Sequence, residues 1–559
     1  MTSLLLHPVL PFAVAAFIAP WVGIMARRLL SLVAPAIALA SLAMLPEGAV
    51  YTLDALGHDW ILLRADGLAI VFATAFILYA FMAGIFAWQD TAGGPKSMSL
   101  VLAGAGTGVV LAGDLLTLYF FWEWLTVASL FLIWFGNTRK SWDAGFRYLI
   151  FHLAGAIVML TGILMLLADG ITTFEVLPTG TASWLVLAGM VTNAAVPPLH
   201  AWLSDAYPEA SIFGTVFLSA FTTKSAVYAL VRGFPGLELL MWAGVIMALF
   251  GVFYAVMENN IRRLLSYHII SQVGYMVTGI GLGTALSLNG TSAHAFSHIF
   301  YKGLLMMSAG AVIHATGRGK LSDLGHLARP LKWTLVLMMI GALSISGAPL
   351  FSGFVSKSMI VSAAAYSEQA PIELMLLIVS MGTFLSVALK MPWFTFAGED
   401  RGATVIRPVP TSMYIGMGLT AFVCFITGVL PGATLYRLLP FDAVYDPFTG
   451  HHFVEVLQLM TGTALGFWFL RVKLVGKAKT TLDTDYLYRR PLGWLIFGAG
   501  DALGAAGRRV AAANGWTIAM GWQVLQSYGA RRGPTTLAFQ ATVVVAALAL
   551  IAVLAFFGA

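Results

Sequence analysis

The sequence predicts an all-α integral membrane protein with about 14–16 transmembrane helices, and three observations carry that expectation. Only 10% of its 559 residues are charged and 59% are hydrophobic, with a mean hydropathy of +0.86, whereas a soluble domain carries roughly 25% charged residues. So few charges cannot cover a water-facing surface, so lipid must cover it. Apolar runs of about 18 or more residues recur along the chain, long enough to cross a hydrocarbon core of roughly 30 Å. The basic residues, finally, segregate by loop.

Taken in order, the apolar runs place spans near 8–25, 29–45, 66–88, 97–113, 114–135, 147–168, 183–203, 211–232, 238–257, 262–283, 293–315, 333–365, 373–396, 411–430, 452–472 and 537–557. The first is followed by Arg27 and Arg28 without a small-residue cleavage site, so it reads as a retained helix and not a signal peptide. With the amino terminus outside, inward loops and helix ends receive twenty-four of the 31 Lys and Arg, and outward loops receive three, Arg64, Arg232 and Arg437. Cytoplasmic loops are enriched in Lys and Arg, so this asymmetry sets the orientation. It also explains the net charge of +6 as a topology signal and argues against a nucleic-acid partner. The remaining four, Lys224, Lys302, Lys357 and Lys390, lie inside spans.

Two spans carry helix breakers. The run 183–203 contains Pro197-Pro198, and 333–365 contains Pro349 and then Gly353. Proline removes a backbone donor and clashes with the preceding turn. Within a bilayer such a break survives where protein buries it or where it lines a wet cavity. The two breaks are five spans apart. An odd number of spans inverts one repeat against the next, and broken helices in matching positions of inverted repeats point to a transport path. The expected organisation is therefore 1–96 as three N-terminal helices, 97–237 and 238–396 as two inverted five-helix repeats, 397–480 as two further helices, and 481–559 as a lateral segment with a final span. Between 473 and 536 the chain turns polar and then Gly- and Trp-rich with spaced Arg pairs, which suits an amphipathic helix on the inner membrane surface. An ordinary cytoplasmic loop is the competing reading.

A single cysteine, Cys424, excludes an intrachain disulfide and a cysteine-ligated cluster. The Gly-rich patch at 279–283 ends a membrane helix with no strand before it, so it reads as helix packing and not as a phosphate loop. No cofactor is expected, and energy must come from an ion gradient or from partner subunits.

A charged side chain at mid-bilayer costs at least ~2.5–3.5 kcal/mol, so intramembrane ionisable residues are functional candidates. Glu123 lies among aromatics in Tyr119-Phe-Phe-Trp-Glu123. Lys224 sits near the centre of its span, where burial favours the neutral amine and makes a proton carrier. His294, His298 and Lys302 are spaced i, i+4, i+8 and stack on one helix face, a spacing that suits a proton relay. Two histidines without a soft third ligand make a poor metal site, and no metal is expected. Lys357 follows the second break, and Lys390 lies near the inward end of its span, where it either joins the path or snorkels. His152 and His268 complete the set, each readable instead as a satisfied core histidine. Structural ion pairs or histidine hydrogen bonds are the alternative for Glu123, His294 and His298.

The segments Asp114-Leu-Leu-Thr-Leu-Tyr-Phe-Phe-Trp-Glu123, Pro198-Leu-His200-Ala-Trp-Leu203, His294-Ala-Phe-Ser-His298-Ile-Phe-Tyr-Lys302 and Ser352-Gly353-Phe resemble the proton-conducting, antiporter-like subunits of respiratory complex I, Mrp-type sodium/proton antiporters and membrane-bound hydrogenases. The resemblance spans roughly residues 65–400 and is nearest in flavour to the Mrp-type D subunit. It implies two inverted five-helix repeats, with Glu123, Lys224, His298, Lys302 and Lys357 on the family's proton path. The family usually has a lysine five residues before Pro-Leu-His, paired with the glutamate. Asn193 stands there in this chain, and His152 is the candidate substitute.

The resemblance further implies a subunit of a hetero-oligomeric complex in the cell membrane. Its partners would be other membrane subunits, homologous antiporter-like ones among them, and it would translocate protons, with Na⁺ or another cation as counter-ion. Four roles compete: cation/H⁺ antiport, proton pumping in a complex I-like or hydrogenase redox complex, the membrane half of an ion-driven inorganic-carbon uptake system, and a scaffold whose channel is partly inactive because of Asn193.

Overall fold

A computed structural model of the chain describes residues 7–474, apart from 47 and 56, together with 483, 484 and 486. The expected lateral segment and last span lie outside the described residues, save for those three. The chain opens with α1 (Val9–Ile18) and α2 (Ile24–Met44), then a hairpin of β1 (Val50–Ala55) and β2 (His58–Arg64), then α3 (Gly67–Phe86). Next come α4 (Gly93–Leu111), α5 (Leu115–Trp134), α6 (Arg139–Ala168), α7 (Thr181–Asn193), α8 (Ala201–Ala206), α9 (Ile212–Leu218) and α10 (Thr222–Gly233). After these follow α11 (Glu238–Met257), α12 (Ile261–Leu282), α13 (Ala285–Thr316), α14 (Lys332–Ser346), α15 (Ser352–Tyr366) and α16 (Ala370–Thr383). The last of these runs on into π-helical turns at Phe384–Lys390 and Trp393–Ala397, and α17 (Thr411–Val429) and α18 (Gly450–Leu470) close the described fold.

Among the described residues, 10 helices are long and apolar enough to cross a membrane, counting α9 with α10 and α16 with its π-helical extension. The other expected spans correspond to helices that are shorter or more polar, namely α1, α4, α7, α12 and α14. This is a multi-pass membrane protein. The loop expected between the second and third spans is instead an antiparallel hairpin, with Val50 opposite Arg64 and a turn at Gly57, φ +71°. Its partner groups hold it in place: the carboxylate of the buried Asp114 accepts from the Ile61 amide at 2.6 Å, and Gly113 N–H donates to the Ile61 carbonyl at 2.9 Å.

Helix ends follow local chemistry. Asp114 caps α5 through the Thr117 amide at 2.8 Å, Thr138 and Ser141 form a reciprocal capping box on α6, and Asn260 caps α12. Such side chains accept from amides that have no intrahelical partner. Helix α6 starts at Arg139, eight residues before the expected boundary, because that box opens it earlier than hydropathy alone indicates.

Both expected breaks occur. Helix α7 stops at Asn193, ahead of Pro197-Pro198, and its Thr192 carbonyl accepts from both the Ala195 amide at 3.1 Å and the Trp202 indole at 3.0 Å. Helix α14 stops at Ser346, where Gly347 adopts the left-handed conformation at φ +75°. A Cβ at Gly353 would overlap the Ser344 carbonyl, so only glycine lets α15 restart so close to α14. The element after each break is also irregular. The expected span 211–232 is two helices, α9 and α10, parted at 219–221, and the span 373–396 widens into π-helix. Each irregularity carries an intramembrane lysine, Lys224 in one and Lys390 in the other.

Candidate functional site

Lys224 lies in the first turn of α10 and is fully buried. Because α9 ends at Leu218, the Ser219 carbonyl has no helical donor, and the Lys224 ammonium takes that place at 2.8 Å while also reaching the Thr223 hydroxyl at 3.0 Å. Nearby on α13, His298 and Lys302 are fully buried, and neither His298 ring nitrogen nor the Lys302 ammonium has a protein hydrogen-bond partner. Lys224 lies within electrostatic range of both.

One turn before His298, His294 bridges two helices. Its Nδ1 meets the Ser356 hydroxyl of α15 at 3.1 Å, and the Tyr301 hydroxyl meets Nε2 at 3.2 Å. The next residue on α15 is Lys357, 4% exposed. Its ammonium lies 4.9 Å from the Tyr275 ring centroid and has no hydrogen-bond partner. Lys357 is within electrostatic range of His294, His298 and His268. Five expected residues therefore form one line across α10, α13 and α15: Lys224, Lys302, His298, His294 and Lys357. A buried donor or acceptor without a protein partner needs water. The line consists of amines and imidazoles, groups whose nitrogen lone pairs take up and release a proton.

His268 hangs on the same line from α12, its Nε2 bonded to Ser386 of the first π-turn at 2.7 Å. Lys390 is not a snorkelling residue. It is 1% exposed, and its ammonium donates to the Val256 and Glu258 carbonyls at 2.6 and 2.7 Å. Those carbonyls end α11, where the helix leaves acceptors unsatisfied and its dipole favours a cation.

The Glu123 end is organised differently. Glu123 is half-buried on α5, beside the exposed Phe120 and Trp124, and its Oε1 has no hydrogen-bond partner. No ion pair joins it to a cation among the described residues. His152 does not touch it: the imidazole stacks on Tyr148 with centroids 3.8 Å apart, lies edge-on to Trp202, and holds the Tyr148 carbonyl through Nδ1 at 3.0 Å. With Nδ1–H donating, Nε2 presents a lone pair, and it has no partner. Asn193 ends α7, 2% exposed, with its Nδ2 likewise unpartnered. The group common to this region is Tyr148. It lies within range of Glu123, and its hydroxyl faces Ser129 and Thr222, which are 3.3 Å apart. Thr222 opens α10 two residues before Lys224. Sequence reasoning missed Tyr148, Ser129 and Thr222. The available signal was the i, i+4 spacing of Tyr148 and His152 on one helix face.

Fixed charges sit at the rims. At the hairpin end of the bundle Asp66 accepts from Arg232 at 2.7 Å and lies 3.3 Å from Arg64. Burial pushes the Asp66 carboxyl up, but the Arg232 bond and charge, the Ala69 amide and Arg64 more than offset this and hold it below the usual range. Near the start of α6 Arg147 grips Asp205 in a two-point pair at 2.6 and 3.0 Å.

A bundle of membrane helices with two broken members and a buried amine–imidazole line between them defines a membrane transport protein of the antiporter-like class. The pattern of the NADH:quinone oxidoreductase/Mrp antiporter transmembrane family matches residues 112–394. The chain is similar to an uncharacterised protein of Methanocaldococcus jannaschii, 32% identical over 360 residues, covering 60% of this chain and 74% of that one. It is also similar to the D subunit of an Na⁺/H⁺ antiporter from Alkalihalophilus pseudofirmus, 31% identical over 365 residues, covering 59% of this chain and 73% of that one. In fold it matches a chain of the Mrp complex from a Dietzia species with a TM-score of 0.74 at 24% identity, covering 99% of this chain and 63% of that chain. The protein belongs to the NADH:quinone oxidoreductase/Mrp antiporter family of transmembrane subunits.

Proposed function

We propose that the chain translocates protons as one subunit of a multisubunit membrane complex, in exchange for Na⁺ or another cation. The observation that carries this reading is the line Lys224, Lys302, His298, His294 and Lys357, buried mid-membrane with unpartnered nitrogens at three of its five members. A structural core satisfies its buried polar atoms, and several cations brought together without a carboxylate repel one another. Such a line holds few protons at a time and favours passing them on. Segments 97–237 and 238–396 act as the two halves of the device, with His268 and Lys390 flanking the second. The similarity to the D subunit of an Na⁺/H⁺ antiporter supports both the exchange and the assembly with homologous membrane subunits.

The missing ion pair at Glu123 favours a second reading for the first half alone. With Asn193 in place of a cation and His152 turned to Tyr148, that half moves protons weakly or serves as scaffold, and conduction rests on Lys224 to Lys357. The test is transport by the assembled complex in reconstituted vesicles. Lys224→Ala and Lys357→Ala are expected to abolish transport while the complex still assembles. Wild-type transport by either variant removes that lysine from the path.

A further inference from the structure

Of the four lysines inside the membrane, Lys224 and Lys390 donate to backbone carbonyls, and only Lys357 lies over an aromatic ring. Its ammonium stands 4.9 Å from the ring centroid of Tyr275 and has no hydrogen-bond partner. A buried ammonium without compensation is costly. The negative face of an aromatic ring within about 6 Å of the cation supplies part of what is missing. Lys357 also borders a cavity of about 150 Å³ between α15, α16 and α18. Ring and cavity thus compete for one side chain.

The ring itself is fixed. Tyr275 lies on α12 and is fully buried. Its hydroxyl donates to the Leu376 carbonyl and meets the Ser380 hydroxyl at 2.7 Å, both on α16. A phenol has one hydrogen to give, so Ser380 is the donor in the second bond. The far end of the side chain is thereby pinned to α16 while its face lies under the lysine of α15. His294 packs near the same ring, with centroids 5.8 Å apart, and is within electrostatic range of Lys357. One anchored ring therefore borders two successive members of the line.

We propose that Tyr275 is a positioning residue, a seat that holds Lys357 beside His294 while the amine is protonated and releases it once the amine is neutral. The attraction joins a full positive charge to the ring quadrupole, so it disappears with the proton. On the ring, the ammonium is kept in the line. Off it, the neutral side chain is free to swing into the cavity, and its position follows its charge. The proposal rests on Lys357 carrying protons, as argued above. The other titratable groups around Lys357 are His268 on α12, His294 and His298 on α13, Glu373 on α16, and His451, His452 and Glu455 on α18, with Tyr366 at the end of α15. Helix α17 adds Cys424, beside Ser344 and Ser352, and α14 carries only Lys332, at its far end.

The seat is read from the pH profile of transport by the assembled complex in reconstituted vesicles. Tyr275 is replaced by phenylalanine and then by its mono-, di- and trifluoro analogues, which keep the shape of the ring and weaken its negative face step by step. Tyr275→Phe retains the ring and is expected to stay near the wild-type profile. Each added fluorine is expected to move the alkaline limb toward lower pH, because the ammonium loses its partner and gives up its proton sooner. Across the series the shift is about one pH unit, a tenfold loss of proton affinity. Tyr275→Leu deletes the face and is expected to match the trifluoro end. Should the leucine variant fail to fold, the fluorinated rings still decide, since they preserve the packing. An alkaline limb that stays in place across the series, while Lys357→Ala abolishes transport, overturns the seat and keeps the relay. Wild-type transport by Lys357→Ala defeats the relay and the seat with it.

Discussion

Lys390→Met isolates a helix clamp from a proton site. The substitution keeps the length and apolar stem of the side chain and deletes the ammonium that donates to the Val256 and Glu258 carbonyls at 2.6 and 2.7 Å. A hydrogen bond to a charged group contributes ~1.5–3 kcal/mol, and a cation at a helix C-terminus adds ~0.3–1 kcal/mol. Two bonds on one ammonium are not additive, and removing the charge also removes its burial cost. The expected net loss is ~2–4 kcal/mol. Equilibrium unfolding in mixed micelles measures it as a lower midpoint, and transport per assembled complex is expected to fall less than in Lys224→Ala. An unchanged midpoint refutes the clamp. Abolished transport with an unchanged midpoint places Lys390 in the path.

Three further outcomes follow from the geometry. Tyr148→Phe removes the hydroxyl between Glu123 and Thr222, and is expected to slow transport about as much as His152→Ala; a wild-type rate in reconstituted vesicles detaches the Glu123 end from Lys224. Asn193→Lys is expected to raise transport and to make it sensitive to Glu123→Gln; no coupling in the double-mutant cycle shows that the two side chains do not meet. Asp66 has a depressed pKa, so its contribution is present above the ordinary carboxylate value of about 3.9 and is lost as pH falls through the lower folded value. Since the side chain is 36% exposed, screening keeps that contribution to about 1 kcal/mol or less. Asp66→Asn should therefore lower the unfolding midpoint slightly and equally from about pH 5 to about pH 8; a steep change within that window contradicts the ion pair.

Much of the architecture was legible because the bilayer leaves few alternatives. Pro197 and Pro349 announce their breaks, and His294, His298 and Lys302 declare a shared face by spacing. The parting of α9 from α10 was not legible, since Ser219-Ala-Phe221 contains neither proline nor glycine, and packing alone opens it. The π-helical turn around Lys390 was signalled only by Pro392, just beyond it, which marks a missing backbone donor but not a widened helix. It made a buried clamp look like a residue near a membrane edge. The hairpin was masked because residues 50–64 lie in a short connection whose pairing depends on Asp114, about fifty residues further on. The cavity above Lys357 is a long-range product of α15, α16 and α18, and no local pattern foretells it.

Asp114 has a consequence for depth. Its carboxylate is at once the first stitch of α5 and the anchor of the hairpin, through the Thr117 and Ile61 amides. A helix pinned at one end cannot slide along its axis, and each residue advances it by about 1.5 Å. Glu123, nine positions on, is thereby held at a set level, about 13 Å below the pin. The acid's altitude in the bilayer is dictated by a crossbar at the rim and not by its own neighbours.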